Sequence, residues 1–235
     1  MALPAHHTQH LQCIAYPFNV SSSCFHLTQR NDRATTGTAL WLGAQCLALY
    51  LASIARTNHP LRAIDLGSGI GLLPLALGSL GYDVLATDVP LIVDTVLRPN
   101  ILANPTRGTV DVRVLDWTEP LDTHTAWDLI VTADTLYEPS LVRPLLRTLH
   151  ALARASTVAG RAPPVYVCLE RRDPALIEAA LAAARDEWGF ALTRVADRKI
   201  ARAMGRGGVH WAREEWAGVE VWKLALRVVG DGGIV

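Results

Sequence analysis

The sequence lacks the features that mark secreted, membrane-spanning and nucleic-acid-coating proteins. Lysine and arginine together number 22, as do aspartate and glutamate, so no excess charge exists to attract a polyanion or an anionic membrane. The four cysteines form no C-x-x-C pair and are expected to be reduced thiols of an intracellular protein. No apolar run reaches the ~18 residues of a membrane span, and no signal-peptide pattern is visible. These absences predict a cytoplasmic protein without membrane association, with the nucleus as a further location.

Hydrophobic residues, in contrast, make up 50% of the 235-residue chain, enough for the core of one large domain. From residue 62 onward, β-type segments alternate with helical ones, which predicts a mostly parallel sheet with helices on both faces. The last two strands have no clear long helix between them and predict an antiparallel hairpin at the sheet edge. The predicted fold is therefore α/β, Rossmann-like and doubly wound, with seven strands at 62–65, 83–87, 110–115, 127–133, 165–169, 190–196 and 219–227.

The domain organisation follows from the absence of any repeat or low-complexity linker. We predict one domain at 38–235, preceded by an extension at 1–37 that is a loose arm with one or two short strands. The stretch 198–218 is predicted to be a solvated, mobile loop because of its glycines. Helices are predicted at 38–55, 70–80, 91–103, which Pro99 is expected to kink or shorten, 139–153 and 174–188.

The most informative motif is a glycine-rich turn after the first predicted strand. An apolar run ends at Asp65, and Gly67, Ser68, Gly69 and Gly71 then lead into a helix. Glycine lets such a turn come close to a ligand because it has no Cβ and tolerates a positive φ. The dinucleotide fingerprint Gly-x-Gly-x-x-Gly would need its third glycine one position later. The observed spacing resembles motif I of class I S-adenosylmethionine (SAM) methyltransferases.

Polar residues also follow the other predicted strands, where a doubly wound sheet binds its ligand. They are expected to serve a nucleoside: Asp88 could accept both ribose hydroxyls, Asp116 an exocyclic amine, and Trp117 could cover an adenine ring. The same edge continues with Ala133, Asp134 and Tyr137, and with Glu170, Arg171 and Arg172.

Each of these residues also has a purely structural interpretation. Asp88 could cap the helix near Leu91 and Asp134 the helix near Pro139. Trp41 and Trp117 could be core aromatics, Tyr137 could merely pack, and Glu170 could form a rim ion pair with Arg171 or Arg172. The functional interpretation is preferred because polar groups recur at four strand ends that share one crevice.

The motifs together resemble the non-histone protein-lysine methyltransferases of the seven-β-strand class. The matching segments are Asp65-Leu-Gly-Ser-Gly-Ile-Gly71, Ala86-Thr-Asp-Val-Pro90, Leu115-Asp-Trp117 and Ala133-Asp-Thr-Leu-Tyr137. Glu170-Arg171 is similar to the branch of the valosin-containing-protein lysine methyltransferase. The resemblance implies a SAM site that includes Trp41, Gly67, Ser68, Gly69, Asp88, Trp117 and Ala133.

The resemblance further implies that Asp134 and Tyr137 line the entry for a target lysine of a protein substrate. The enzyme is separately expected to be a monomer. Two other functions stay open. The chain could methylate a nucleic acid, using the basic cluster Arg198, Lys199, Arg202 and Arg206, or a small molecule. It could also be a non-catalytic SAM-binding module. No metal site is predicted, because no zinc spacing relates the N-terminal residues His6, His7, His10, Cys13, Cys24 and His26.

Overall fold

The structure is a computed structural model that describes residues 2–30, 36–55, 61–121 and 124–227. The strands are β1 (Cys13–Phe18), β2 (Ser23–Thr28), β3 (Arg62–Leu66), β4 (Asp83–Asp88), β5 (Val110–Val114), β6 (Leu129–Ala133), β7 (Val165–Glu170), β8 (Phe190–Arg194) and β9 (Val219–Leu226). The helices are α1 (Leu42–Ile54), α2 (Leu72–Ser79), α3 (Pro90–Ile92), α4 (Arg98–Ala103), α5 (Pro139–Ala155), α6 (Pro174–Asp186) and α7 (Asp197–Arg206).

A seven-stranded sheet in the order β5-β4-β3-β6-β7-β9-β8 forms the centre of the fold. The first five strands in this order are parallel, whereas β9 runs antiparallel to both β7 and β8. The chain leaves β3 toward β4 and β5 and then returns to place β6 on the other side of β3. This change of direction creates a crevice at the carboxyl ends of β3 and β6. The predicted fold class, including the terminal hairpin, is confirmed.

Helices cover both faces of the sheet and divide the core into two clusters. One cluster contains Leu47 of α1, Leu75 of α2 and Ile200 of α7. The other contains Leu149 of α5 and Ile177 of α6. Burial on both faces explains why β6 and β7 are almost continuous apolar runs rather than alternating ones. None of the helices in the described ranges is long and apolar enough to cross a membrane.

The N-terminal region is not a loose arm where the structure describes it. Strands β1 and β2 form an antiparallel hairpin whose inward side chains, including Phe18 and Phe25, are buried in the first core cluster. The side-chain amides of Asn100 and Asn104 bind the β2 backbone, each donating to a carbonyl and accepting from an N–H at 2.7 to 2.9 Å. These bonds satisfy the backbone groups of His26 and Thr28 on the edge of the hairpin. The predicted domain boundary at residue 37 stays a prediction.

The prediction of a mobile loop at 198–218 is wrong for its first half. Helix α7 fills residues 197–206 and buries Ile200, Ala203 and Met204. These residues have the i, i+3, i+4 spacing of an amphipathic helix, a signal that outweighs the nearby glycines. Gly207 ends the helix at a point where a Cβ would lie 2.5 Å from Leu49 Cδ2, so this glycine permits close packing on α1.

The helix predicted at 91–103 is divided, as the presence of Pro99 suggested. A five-residue π-helical turn, Val93–Leu97, separates α3 from α4, and Pro99 is the second residue of α4. Because proline has no N–H, it cannot bond to the carbonyl four residues earlier, and the regular ladder is interrupted there.

Candidate functional site

A cavity of about 360 Å³ opens at the carboxyl ends of the parallel strands. This volume lies within the range of sites that bind small molecules and cofactors. Nine of the predicted site residues line the cavity: Trp41, Gly67, Gly69, Asp88, Asp116, Trp117, Ala133, Asp134 and Tyr137. Asp65 and Ser68 line a smaller cavity of about 30 Å³ on the inner side of the glycine turn, and Gly71 lines neither.

The glycine turn is tied to the next strand by its own backbone. The N–H groups of Gly67 and Ser68 donate to the Thr87 carbonyl oxygen at 3.0 and 2.9 Å, and the Gly69 N–H donates to Asp88 at 2.8 Å. These donors are therefore not available to a pyrophosphate, which agrees with the glycine spacing. Gly67 has a φ of +73°, and a Cβ there would lie 2.7 Å from Thr135 Cγ2, so only glycine fits.

Asp88 does not cap a helix. Val89 occupies the N-cap position of α3, where no side chain accepts a hydrogen bond. The Asp88 carboxylate instead accepts from the N–H groups of Gly69 and Val89, both at 2.8 Å. Burial raises the pKa of Asp88 to about 6. A carboxylate has about four acceptor positions, so Asp88 can hold the turn and still accept from ligand hydroxyls.

Asp65 is a deeply buried carboxyl group near the end of β3. Only 1% of the residue is exposed, and neither carboxyl oxygen has a hydrogen-bond partner in the described part of the chain. Burial raises the pKa of Asp65 to about 7; the nearby Ser68 side chain opposes this shift, and the charge of Asp88 adds to it. Buried polar atoms in native proteins are normally satisfied. An ammonium group in the small cavity beside Asp65 would supply hydrogen bonds to its carboxyl oxygens.

The β5 end of the cavity combines a fixed turn with an aromatic wall. Asp116 Oδ1 accepts from the N–H and the hydroxyl of Thr118 at 2.8 and 2.7 Å, and these bonds hold its pKa below the usual range. The Trp117 ring lies against Gly67, 3.2 Å from where a Cβ would be. Its Nε1 is buried and has no partner among the described atoms. Trp117 is therefore a wall of the cavity, not an interior core residue.

Asp134 caps a helix, although not the one near Pro139 that its structural interpretation named. Glu138 caps α5, whereas the Asp134 carboxylate accepts from the Ala44 N–H at 3.1 Å, in the first turn of α1. Asp134 has a left-handed φ of +57°, which is uncommon outside glycine. A Cβ on Gly43 would lie 2.6 Å from both carboxylate oxygens, so a glycine is required opposite them. Burial raises the pKa of Asp134 to about 7.

The mouth of the cavity is built from side chains that are far apart in the sequence. Tyr137 is 52% exposed, and its hydroxyl oxygen accepts from Thr36 Oγ1 at 3.0 Å. Trp41 Nε1 donates to the Thr36 carbonyl oxygen. The Arg172 guanidinium lies 4.6 Å from the centre of the Trp41 ring and pairs with Glu170. Arg171 is not part of the mouth, because it pairs with Glu178 and Glu220.

Sequence reasoning missed two of the residues that shape this site. No local sequence pattern marks Thr36 as a site residue, because its hydrogen-bond partner Tyr137 lies 101 positions away in the chain. Thr135 packs over Gly67 and shares a 2.8 Å hydroxyl contact with Thr132. The sequence places Arg172 at this edge of the sheet, but its stacking on Trp41 depends on tertiary structure.

Solved methyltransferase structures share this fold. The CcbJ methyltransferase from Streptomyces caelestis aligns with a TM-score of 0.57 at 14% identity, covering 84% of this chain and 94% of that one. A magnesium protoporphyrin IX methyltransferase from Synechocystis, solved with bound SAH, aligns with a TM-score of 0.52 at 14% identity over 78% and 81% of the two chains. At these identities the likeness concerns the fold, which is that of the Rossmann-like methyltransferases.

Sequence comparisons identify the family within that class. The family model described as "Lysine methyltransferase" matches residues 21–180. Protein N-lysine methyltransferase METTL21A from Xenopus tropicalis is 31% identical over 152 residues, which cover 60% of this chain and 70% of the relative. The mouse METTL21A protein is 30% identical over 156 residues, 63% of this chain and 71% of its own length. The chain belongs to the lysine methyltransferase family, and it is a SAM-dependent protein-lysine methyltransferase.

Proposed function

We propose that this enzyme methylates a lysine side chain on a non-histone protein that docks at the mouth formed by Thr36, Trp41, Tyr137 and Arg172. One observation carries the proposal. A single cavity joins a nucleoside-type end, with Asp88 and Trp117, to an end with Asp134 and an exposed tyrosine.

The residues present fit SAM as the cofactor. The unpartnered Asp65 carboxyl beside the small cavity suits an α-ammonium group, and Asp88 retains acceptor capacity for ribose hydroxyls. When bound, SAM supplies an electrophilic methyl group on a sulfonium sulfur. The residues proposed to hold it are Trp41, Asp65, Gly67, Ser68, Gly69, Asp88, Asp116, Trp117 and Ala133, while Gly71 supports the turn by starting α2 with a φ of +93°.

The chain contributes mainly positioning and desolvation. A lysine must be a neutral amine, aligned for in-line displacement, before it can accept a methyl group. Apolar walls that include Leu115, Leu141 and Leu169 would favour its neutral form, whereas an ionised Asp134 would favour the ammonium. We assign Asp134 to capture and orientation of the amine, and Tyr137 to alignment through its hydroxyl.

The main alternative is a nucleic-acid methyltransferase. Arg198, Lys199, Arg202 and Arg206 are exposed on α7, and such a basic face could contact phosphates. The balanced overall charge argues against this alternative. We also propose that the enzyme acts as a monomer in the cytoplasm, with the nucleus as a further location. Its four cysteines, none in a disulfide, are compatible with that compartment.

The test is methyl transfer from labelled SAM into a cell lysate by the purified enzyme. Treating the labelled lysate with ribonuclease or with protease separates nucleic-acid from protein products, and Gly67→Ala serves as the inactive control. The expected result is protease-sensitive label that amino-acid analysis recovers as methyl-lysine. Label that only ribonuclease removes would overturn the proposal in favour of the alternative.

A further inference from the structure

Two histidines near the N-terminus meet a glutamate from the other end of the chain. The Nε2 atoms of His6 and His7 lie 2.6 and 3.3 Å from the same oxygen of Glu215, Oε2. The three potential ligand atoms all lie within 4.8 Å of one another. His6 and Glu215 are 209 positions apart in the sequence, so no local spacing could have indicated this group.

The backbone that carries the histidines is held firmly. They lie in a 3-10 turn, Ala5–His7, whose Ala5 N–H donates to the buried side chain of Gln45 at 2.8 Å. The Gln45 amide donates in turn to the Leu3 carbonyl at 2.8 Å, and the Trp211 indole donates to the Ala2 carbonyl at 2.9 Å. The start of the turn and the residues before it are thus fixed to the folded domain.

Glu215 is equally well placed to act as a ligand. It belongs to the 3-10 turn Arg213–Trp216, which is anchored by the buried Trp216. The neighbouring Arg213 does not neutralise it, because that guanidinium pairs with Asp197 and stacks on Trp216 at 3.9 Å. Within the described residues, the Glu215 carboxylate pairs with the two imidazoles and with no lysine or arginine.

We propose that His6, His7 and Glu215 form a binding site for a zinc-like divalent ion, which would join the N-terminal segment to the segment before β9. Imidazole nitrogens with one carboxylate suit zinc, whereas magnesium and calcium prefer oxygen ligands. A tetrahedral zinc ion with bonds of ~2.0–2.1 Å holds its ligand atoms ~3.3 Å apart. The His7–Glu215 distance already has this value, and the His6–Glu215 contact must widen slightly. The exposure of both histidines leaves room for water as the fourth ligand.

The first test is calorimetric titration of Zn²⁺ into the full chain without a purification tag. Cys13 and Cys24 are exposed thiols and strong zinc ligands, so both are changed to serine in every sample. The expected result is one zinc per chain. Glu215→Gln and the double variant His6→Ala, His7→Ala should weaken binding by at least the ~10–100-fold that loss of an outer-shell partner costs. His10→Ala, which removes another exposed histidine of the same segment, should bind as the parent does.

The second test is the thermal unfolding midpoint with and without Zn²⁺, since an ion that joins two segments of the folded chain stabilises it. Zinc should raise the midpoint of the parent and of His10→Ala but not that of Glu215→Gln, and Mg²⁺ should raise none. The midpoints without metal reveal any variant that fails to fold, and the isosteric Glu215→Gln then decides. Equal zinc affinity in all variants, or no saturable binding by the parent, would overturn the proposal.

Discussion

The two ends of the cavity are constructed by different means. At the cofactor end, Gly67, Ser68 and Gly69 follow one another in the chain, and their N–H groups bond to the end of the adjacent strand. At the mouth, side chains from separate segments meet at the surface: the Thr36 hydroxyl donates to Tyr137, and Arg172 lies over the Trp41 ring. The first end depends on backbone geometry and leaves little freedom to vary. At the mouth, side chains can be substituted without disturbing the sheet, as expected for a surface that selects a protein substrate.

The largest effect expected at the cofactor end is that of Gly67→Ala. The new Cβ would lie 2.7 Å from Thr135 Cγ2, at a φ of +73°. The left-handed backbone alone costs ~1–2 kcal/mol, and the clash adds to it, so SAH binding measured by calorimetry should be lost. Gly189→Ala is the matched control, because Gly189 has a φ of +69° but no atom within 4 Å of its Cβ position. Equal SAH affinity in both variants would contradict the role of close packing at this turn.

Asp88→Ala should be the next most damaging change. Loss of a charge-assisted hydrogen bond to ribose is expected to cost ~1.5–3 kcal/mol of binding free energy. The turn also loses the acceptor for the Gly69 N–H, so the melting temperature should fall with the affinity. Asp88→Asn keeps one acceptor oxygen and should therefore lose less SAH affinity and less thermal stability than Asp88→Ala. Unchanged SAH affinity in Asp88→Ala would remove this residue from the cofactor site.

Asp65 gives the cofactor end a pH dependence. Its folded-state pKa of about 7 lies well above the ordinary aspartate pKa of 3.8. Its stabilising contribution is therefore complete below pH ~4 and is lost as the pH rises toward ~7, because the folded state then retains a proton that the unfolded chain has released. Chemical denaturation of the ligand-free enzyme across this pH range should show the decline, and Asp65→Asn should reduce it.

Cofactor binding should reverse the shift at Asp65, since an ammonium beside the carboxylate favours its charged form. SAH binding near neutral pH should then release protons, which calorimetry in buffers of different ionisation enthalpy detects. Proton release that persists unchanged in Asp65→Asn would contradict the assignment of Asp65 to the ammonium.

The smallest effect is expected at the mouth, for Tyr137→Phe. The ring keeps its packing and only the hydroxyl, which accepts from Thr36 Oγ1, is removed. Methyl incorporation should fall several-fold, with SAH affinity unchanged. Thr36→Val tests whether that contact or the hydroxyl itself matters. Wild-type turnover in Tyr137→Phe would show that the hydroxyl does not align the amine.

The same contrast explains what the sequence could and could not predict. The sheet, the glycine turn and Asp88 were predictable because each depends on local spacing and on the rule that ligands bind at strand ends. The Thr36–Tyr137 contact and the His6–Glu215 contact were not, because residues 101 and 209 positions apart leave no periodic signal. Helix α7 was not predicted for another reason: glycines at 205, 207 and 208 favour a loop, whereas the burial of Ile200, Ala203 and Met204 outweighs them.

Asp134 shows a limit of a different kind. Its place after β6 was predictable, but the helix that it caps was not, because the Ala44 N–H lies 90 positions earlier in the chain. This contact adds a structural role to the proposed catalytic one. Substitutions at Asp134 must therefore be chosen so that the effect of losing the charge can be told apart from the effect of losing the helix cap.

The measurement that tests the account most directly compares methyl incorporation, SAH affinity and melting temperature in Asp134→Asn and Asp134→Ala. The asparagine can still accept from the Ala44 N–H, so its stability should stay near that of the wild type, whereas alanine should lose ~1 kcal/mol as other cap deletions do. Glu138→Ala, which removes the cap of α5, controls for such a loss and should retain activity. We predict that both Asp134 variants bind SAH and lose ~10²-fold in methyl transfer through misalignment of the amine. An Asp134→Asn enzyme that methylates protein at the wild-type rate would contradict the proposed lysine site.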